Sequence, residues 1–282
     1  MALKWAVLAP HPPLLVPEIG GGALKDVNKT KTALENTFSE LKGDNIDTVI
    51  LITPHGPYLS DAISIWDKER VEGSLKRFGG KENLDFPCDR ELIQKISSQW
   101  EKHRMPYQLL GNGSPKDGEE LDHGAFVPLY YFKTSFEKEV DLVVITPGGV
   151  DYDLLWRTGE LLGETIAKEE KDIGIIISGD LSHRLKEDAP AGYHPEAYKF
   201  DHKIQDILDK GDLSALKEIS EKLLIQTGEC GYRPLLIAGG ALNGRENSRS
   251  QVLSYEGPFG VGYMVALLHD ATEKSERKGE MA

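Results

Sequence analysis

Four apolar, β-branched runs recur along the chain, and longer segments with helical periodicity lie between them. The runs are continuous rather than alternating, which is typical of strands covered on both faces of a sheet. They are WAVLAP at 5–10, DTVILIT at 47–53, DLVVIT at 141–146 and IGIIISGD at 173–180. The intervening segments 23–42, 90–104 and 152–170 are predicted to be amphipathic helices.

This alternation predicts an α/β fold: a single domain whose mostly parallel central sheet is flanked by helices, with the site at the carboxyl ends of the strands. Two helical stretches near 196–209 and 213–225 follow, then a helix beginning near Arg233 and two strands within QVLSYEGPFGVGYMVALL. A chain of 282 residues suits one domain, which we assign to 1–270. The charged tail 271–282 is predicted to be disordered.

The net charge and the lengths of the apolar runs argue against two classes of binding partner, nucleic acids and membranes. The chain has 33 Lys and Arg against 46 Asp and Glu, a net charge of -13, so a phosphate backbone or an anionic membrane would be repelled. The apolar runs are far shorter than the ~20 residues that span a bilayer, and no secretion signal opens the chain. Cys88 and Cys230 do not resemble a disulfide framework. We therefore expect a cytoplasmic protein without nucleic-acid or membrane partners.

Two of the predicted strands end in the same way, at a proline followed by a histidine. His11 lies in LAPHPP and His55 in ITPHGP, and the prolines hold His11 on a stiff, extended segment. Two imidazoles and one carboxylate on one face of a metal are the ligands of many non-haem Fe(II) enzymes, and the same set suits zinc. Glu229, at the start of a predicted helix, is a candidate carboxylate. A lone loop histidine is usually only solvated, but the repeated pattern favours a metal site.

Two further histidines lie near predicted element ends. His183 follows a strand in SGDLSH, where Gly179 permits a sharp turn and Asp180 can orient a neighbour or cap a helix. A histidine beside a metal suits proton transfer because its pKa lies near neutral pH. The alternative is that Asp180 only caps a turn while His183 points to solvent. His123 lies in LDHG, ahead of an apolar segment.

Taken together, these motifs resemble the catalytic beta subunits of the class III extradiol ring-cleavage dioxygenases. The resemblance spans residues 9–263 and is closest to the dioxygenase-like domain found beside AMMECR1 domains and near Memo-like and radical SAM proteins. Its motifs are APHPPLLVPEIG, TPHGPY, LDHGAFVPLYY, SGDLSHRLKEDAP, ECGYRPLLIAGGAL and LSYEGPFGVGY.

The resemblance implies a ferrous iron, a small catechol-like aromatic substrate and O2, with the ring opened next to its two hydroxyls. By position in the motifs, His11, His55 and Glu229 match the metal ligands. His183 matches the acid/base histidine, and His123 matches a further pocket histidine that assists proton transfer or orients O2. Such a catalytic chain also implies a homo-oligomer or a separate small partner subunit.

Cys230 leaves the third ligand open. Memo-like relatives place a cysteine in a similar CG motif, and a thiolate would favour zinc or copper and metal handling or redox work instead of ring cleavage. Adjacent residues at a helix start do not both face one metal. We favour Glu229, since Cys230 also has a simple role as a small buried apolar residue. A non-catalytic interaction module is the third alternative. Arg233 is a candidate either for binding a substrate carboxylate or for pairing with an acidic neighbour.

Overall fold

A computed structural model describes residues 2–111, 120–245 and 250–271 of the chain. Eight strands form one central sheet, ordered β6-β3-β7-β2-β8-β1-β10-β9. They are β1 Leu3–Ala9, β2 Thr48–Ile52, β3 Ile63–Trp66, β6 Tyr107–Leu110, β7 Asp141–Thr146, β8 Ile173–Ser178, β9 Gln251–Glu256 and β10 Tyr263–Asp270. A separate two-stranded sheet pairs β4 Arg70–Ser74 with β5 Asn83–Pro87.

The middle of the central sheet is parallel. β7, β2, β8 and β1 run in one direction, and β3 pairs parallel with β6. Antiparallel pairing occurs between β3 and β7, and where β10 joins β1 and β9. The predicted single α/β domain with a mostly parallel sheet is thereby confirmed, because the four strongest apolar runs became the four adjacent central strands.

Helices cover both faces of this sheet. The helices are α1 Pro17–Gly20, α2 Asn28–Leu41, α3 Arg90–Lys102, α4 His123–Ser135, α5 Tyr152–Ile166, α6 Ala197–Lys210, α7 Glu221–Thr227 and α8 Tyr232–Leu242. α3, α5, α6 and α8 pack into one apolar core, and α2 and α4 contribute to the core on the opposite face. The continuous apolar strands therefore lie buried between two helical layers, as the pattern predicts.

Two helical predictions differ in detail. The segment 23–42 begins as a 3-10 turn, Gly21–Val27, before α2 starts at Asn28. The segment 213–225 divides into a 3-10 turn, Leu213–Glu218, and α7, because Ile219 is extended and Ser220 caps the new helix through the backbone N–H of Leu223. Of the predicted tail, residues 272–282 lie outside the described part. No helix in the described part is both long and apolar enough to cross a membrane.

Candidate metal centre

His11 follows β1 on a segment with little freedom. The chain turns immediately after it, since the backbone N–H of Leu15 donates to the carbonyl of Pro12, and Tyr131 Oη donates to the carbonyl of Leu15 at 2.6 Å. The imidazole is only 2% exposed. Prolines and these hydrogen bonds thus fix the backbone that carries His11.

Hydrogen bonds also fix the tautomer of His11. Its Nδ1 lies 2.8 Å from Ser178 Oγ, and Ser178 donates its single hydroxyl proton to the carbonyl of Gly124. The hydroxyl oxygen must therefore accept from Nδ1–H, so Nε2 carries no proton and its lone pair, 3.6 Å from Cys230 Sγ, can bind a metal. A histidine held in this way through its second nitrogen is typical of a metal ligand.

The end of β2 and the start of α4 bring two more imidazoles together. His55 lies two residues after Thr53, and His123 is the first residue of α4, whose N-terminus Asp122 caps through the N–H of Gly124 at 2.9 Å. A Cβ at Gly124 would lie 2.7 Å from His55 Cδ2. Only glycine lets α4 begin this close to the end of β2.

His11, His55 and His123 form a compact cluster, which we call the histidine cluster. One ligand nitrogen from each lies within 4.8 Å of the other two, and the ring centroids of His55 and His123 are 4.7 Å apart. Burial and the neighbouring imidazoles lower the pKa of His11 well below its usual range, and burial lowers the pKa of His123. Neutral imidazole is the form that binds metal.

Two observations indicate that the histidine cluster can bind a metal ion. The Nε2 of His11 offers a lone pair, and within the described residues the buried Nδ1 of His123 has no hydrogen-bond partner. A buried polar atom without a partner is unfavourable unless something binds it. The cluster could therefore hold a metal through imidazole nitrogens, a donor set that suits iron, zinc and copper.

His183 lies on the loop that follows β8. Its Nδ1 lies 2.9 Å from the carbonyl of Leu181, an acceptor only, so Nδ1 carries the proton and Nε2 is a free base. Burial lowers its pKa, and the charge of His55 acts in the same direction. This predicted acid/base residue is therefore positioned near the histidine cluster as an oriented, neutral imidazole.

The end of β8 crosses the start of α8 at very short range. A Cβ at Gly179 would lie 2.3 Å from the Cα of Gly231, and the backbone N–H of Gly231 donates to the carbonyl of Asp180 at 2.9 Å. Asp180 in turn accepts the backbone N–H of His11 through Oδ1 at 2.9 Å. Asp180 therefore orients its neighbours, which is one of the two roles the sequence suggested for it.

Glu229 and Cys230 occupy different positions at this crossing. The Glu229 carboxylate accepts the backbone N–H of Tyr232 at 2.7 Å, and burial raises its pKa to about 7. Cys230 Sγ lies 3.6 Å from His11 Nε2, and burial raises the pKa of the thiol. Neither residue is among the three whose ligand atoms lie within 4.8 Å of one another in the described structure. The assignment of Glu229 as third ligand stays a prediction.

Several residues of this region were not identified from the sequence. Ser178 is the last residue of the apolar run IGIIIS, and its polarity at that position was the available signal. Asp201 of α6 is fully buried and accepts the backbone N–H of Ser182 at 2.9 Å, and nothing in its helical context indicates this. Arg233, by contrast, was a candidate from the sequence; it donates to the carbonyls of Gly148 and Val150 and so ties α8 to the loop after β7, and its role toward a substrate stays a prediction.

Comparisons with known proteins identify a family and a similar fold. Residues 5–266 match the family model described as the catalytic LigB subunit of aromatic ring-opening dioxygenase. Protein CA_C1420 of Clostridium acetobutylicum is 33% identical over 285 residues, and the alignment covers 100% of this chain but 60% of that protein. The chain therefore spans only part of that relative's length. The crystal structure of the uncharacterized protein JW3007 from Escherichia coli K12 has a similar fold, with a TM-score of 0.63, 14% identity and coverage of 94% of this chain and 99% of that one.

Proposed function

Because the chain belongs to the family of the catalytic LigB subunit of aromatic ring-opening dioxygenases, we propose that it is a non-haem Fe(II)-dependent extradiol dioxygenase acting on a catechol-like substrate with O2. The observation that carries the proposal is the histidine cluster, three imidazoles whose ligand nitrogens lie within 4.8 Å of one another beside the base His183. A homo-oligomer or a small second subunit stays a prediction from sequence.

In this proposal His11 and His55 hold the metal, and Glu229 is the third ligand by its place in the family motif. The Glu229 carboxylate is compatible with that role because it is shielded from water; burial raises its pKa, although the Tyr232 N–H and the Arg233 charge oppose the rise. Bound ferrous iron would supply the one-electron and O2 chemistry that no side chain provides.

The side chains of the protein would orient the metal ligands and transfer protons to and from the substrate. Ser178 holds the His11 ring, and Asp180 holds its backbone. His183 Nε2 is free to accept a proton from a substrate hydroxyl and to return it later, a role that contributes typically ~10² to 10⁴-fold to a rate. By its place in the family motif, His123 would assist proton transfer in the pocket and leave the metal to the other three ligands. Removing His183 should then lower turnover and leave metal binding intact.

The test is anaerobic reconstitution with Fe(II), metal analysis, and exposure to O2 with catechol, dihydroxybenzoates and aminophenols. The expected result is about one iron per chain and a yellow ring-opened product whose formation consumes O2. Matched His11→Ala and His55→Ala variants should lose both iron and product. Iron bound in the absence of any ring opening across this panel would count against the proposal.

A second candidate function is a metal-handling or redox protein that uses Cys230 in place of Glu229. The contact between Cys230 Sγ and His11 Nε2, 3.6 Å, favours it. Ligand atoms at roughly 2.3 Å (S) and 2.1 Å (N) from one tetrahedral metal lie about 3.6 Å apart. A metal would also deprotonate the thiol despite its raised pKa.

Adjacent single variants separate the two functions. For the dioxygenase we expect Glu229→Ala to lose iron and Cys230→Ala to keep it, measured by metal analysis after anaerobic loading and desalting. The opposite pattern would support the second function. Because Glu229→Ala also removes the acceptor of the Tyr232 backbone N–H, urea unfolding of both variants is the folding control.

A further inference from the structure

Thr227 lies between the loop that carries His183 and the segment that carries Glu229. It is the last residue of α7 and is fully buried. Gly228 follows it in the left-handed conformation, with a φ of 61°. This turn reverses the chain at the end of α7, so that the residues on the two sides of Gly228 come close to each other.

The hydroxyl of Thr227 supports the Glu229 segment. Its Oγ1 donates to the carbonyl of Leu224 at 2.7 Å and accepts the backbone N–H of Glu229 at 3.3 Å. The carboxylate of Glu229 in turn accepts the backbone N–H of Tyr232 at 2.7 Å, at the start of α8. Glu229 is therefore held in two places, its backbone by Thr227 and its side chain by α8.

The carbonyl of Thr227 supports the His183 loop. It accepts the backbone N–H of His183 at 2.9 Å and the hydroxyl of Ser182 at 3.3 Å. Because both contacts end on one carbonyl group, a shift of Thr227 also shifts His183. One buried residue thus joins the backbone of the proposed acid/base residue to the backbone of the proposed third metal ligand.

We infer that Thr227 is a positioning residue, which fixes Glu229 for the metal and couples metal binding there to the His183 loop. The inference rests on the proposed function for the role of Glu229 as a ligand, and it adds the residue that sets the position of that ligand relative to His183. Loss of a partner that orients a metal ligand typically costs 10 to 100-fold in metal affinity. A buried N–H that loses its acceptor is also unfavourable, so the Glu229 segment should rearrange when the Thr227 hydroxyl is removed.

The test compares Thr227→Val, which replaces the hydroxyl with a methyl group of similar size, with Thr227→Ser, which keeps the hydroxyl. Fe(II) affinity is measured without O2 by titration against a chelator, so that the result does not depend on turnover. The control is Thr158→Val. Thr158 is also fully buried, and its hydroxyl donates to the carbonyl of Leu154 within α5, as that of Thr227 donates within α7.

We expect Thr227→Val to bind Fe(II) at least about tenfold more weakly than the wild type, and Thr227→Ser to stay within about threefold of it. Thr158→Val should bind Fe(II) as the wild type does, although it loses stability in urea unfolding. A purely structural role would lower the stability of both valine variants and leave the Fe(II) affinity of both unchanged.

Hydrogen exchange at the backbone N–H of His183, followed by fragmentation and mass spectrometry, tests the coupling. Fe(II) loading without O2 should slow this exchange in the wild type, because the bound metal opposes opening of the loop through Glu229 and Thr227. At one free Fe(II) concentration, the slowing should be about tenfold smaller in Thr227→Val than in the wild type. It should be retained in Thr227→Ser and in Thr158→Val.

The outcomes separate this inference from the proposed function. Three results would overturn the inference whether or not the protein opens an aromatic ring: wild-type Fe(II) affinity in Thr227→Val, an equal loss of affinity in Thr227→Ser or Thr158→Val, or no slowing of His183 exchange in the wild type. The expected pattern without ring opening supports the positioning role and counts against the dioxygenase. A wild-type protein that binds no Fe(II) overturns both.

Discussion

A single serine decides which nitrogen of His11 can face a metal. Ser178 accepts from His11 Nδ1 and donates to the Gly124 carbonyl, so its loss would free the ring to rotate or to change tautomer. Partners of this kind typically contribute 10 to 100-fold to metal affinity. We therefore expect Ser178→Ala to weaken metal binding by roughly 10 to 100-fold, measured by titration against a chelator of known affinity.

The matched control is Ser97→Ala. Ser97 is also buried and donates only to the Gln94 carbonyl within α3. Removing its hydroxyl should lower stability by a similar small amount and leave metal affinity unchanged. Equal metal affinity in Ser178→Ala and wild type would show that Ser178 does not orient His11.

The burial of His183 leads to a prediction about the pH dependence of kcat/KM as well as about the rate. Burial lowers its pKa, so the neutral, proton-accepting form persists to lower pH than for an ordinary histidine near 6.5. The acid limb of kcat/KM should therefore lie below pH 6.5. His183→Ala should keep its metal, lose roughly 10² to 10⁴-fold in kcat and lose that limb. His202→Ala, on the exposed face of α6, is the control, and an unchanged rate profile in His183→Ala would remove the acid/base role.

At the level of helices and strands, α4 can begin close to the end of β2 only because Gly124 has no side chain. A Cβ at Gly124 would lie 2.7 Å from His55 Cδ2 and 3.0 Å from Thr53 Oγ1. Gly124→Ala should displace His55, destabilise the fold by about 1–3 kcal/mol and weaken metal binding. Urea unfolding and metal titration measure the two effects.

Gly43→Ala is the control for this substitution. A Cβ at Gly43 meets nothing within 4 Å, and its backbone lies outside the left-handed region. It should therefore leave both unfolding and metal binding near wild type. If Gly124→Ala binds metal as wild type does, the position of His55 is not set by the contact with α4.

Elements with strong patterns were predictable from sequence, and weakly patterned ones were not. The central strands β1, β2, β7 and β8 are long apolar runs, and each prediction is confirmed. β3 and β6 have four residues each, too few for periodicity to separate a strand from a loop. α4 contains Pro128 and is apolar on nearly all sides, so no amphipathic pattern marks it.

The residues of the candidate site also divide into those that could be predicted from sequence and those that could not. His11 and His55 were predictable because each follows a parallel strand of the same sheet, β1 and β2 with β8 between them, and the carboxyl ends of parallel strands meet at one edge of a sheet. The position of His123 next to His11 and His55 could not be predicted, since it depends on how α4 packs against the sheet. The contact of the 3-10 turn Lys76–Phe78 with His123 was equally unpredictable, because only tertiary packing brings this turn to the site.

Across the whole molecule, one buried carboxyl joins three segments that are distant in sequence. Asp201 of α6 accepts the backbone N–H of Ser182, beside His183, and the hydroxyl of Tyr255 on β9 at 2.7 Å. The residue is fully buried, and a Cβ at Gly262 would lie 2.1 Å from its Oδ2. The last strands of the sheet and the His183 loop are thus anchored to the same side chain.

Burial raises the pKa of Asp201 from 3.8 to about 7, although the hydrogen bonds from Tyr255 and Ser182 oppose the rise. Between these values the folded protein holds a proton that the unfolded chain has released. The stability contributed by the protonated form is present below pH 3.8 and is lost as pH rises through about 7. Asp201→Asn cannot ionise and keeps an acceptor for Ser182, so it should not lose this stability.

We therefore expect the free energy of unfolding of Asp201→Asn, relative to wild type, to rise by on the order of 2 kcal/mol between pH 4 and pH 8. Urea unfolding of the metal-free protein at both pH values measures this difference, and Asp206→Asn, an exposed residue of the same helix, is the control. Parallel pH dependence in wild type and Asp201→Asn would mean that Asp201 is ionised throughout the folded state. In that case the anchor of the His183 loop would be a buried anion held by its two hydrogen bonds, and its replacement by asparagine should slow turnover as well as destabilise the fold.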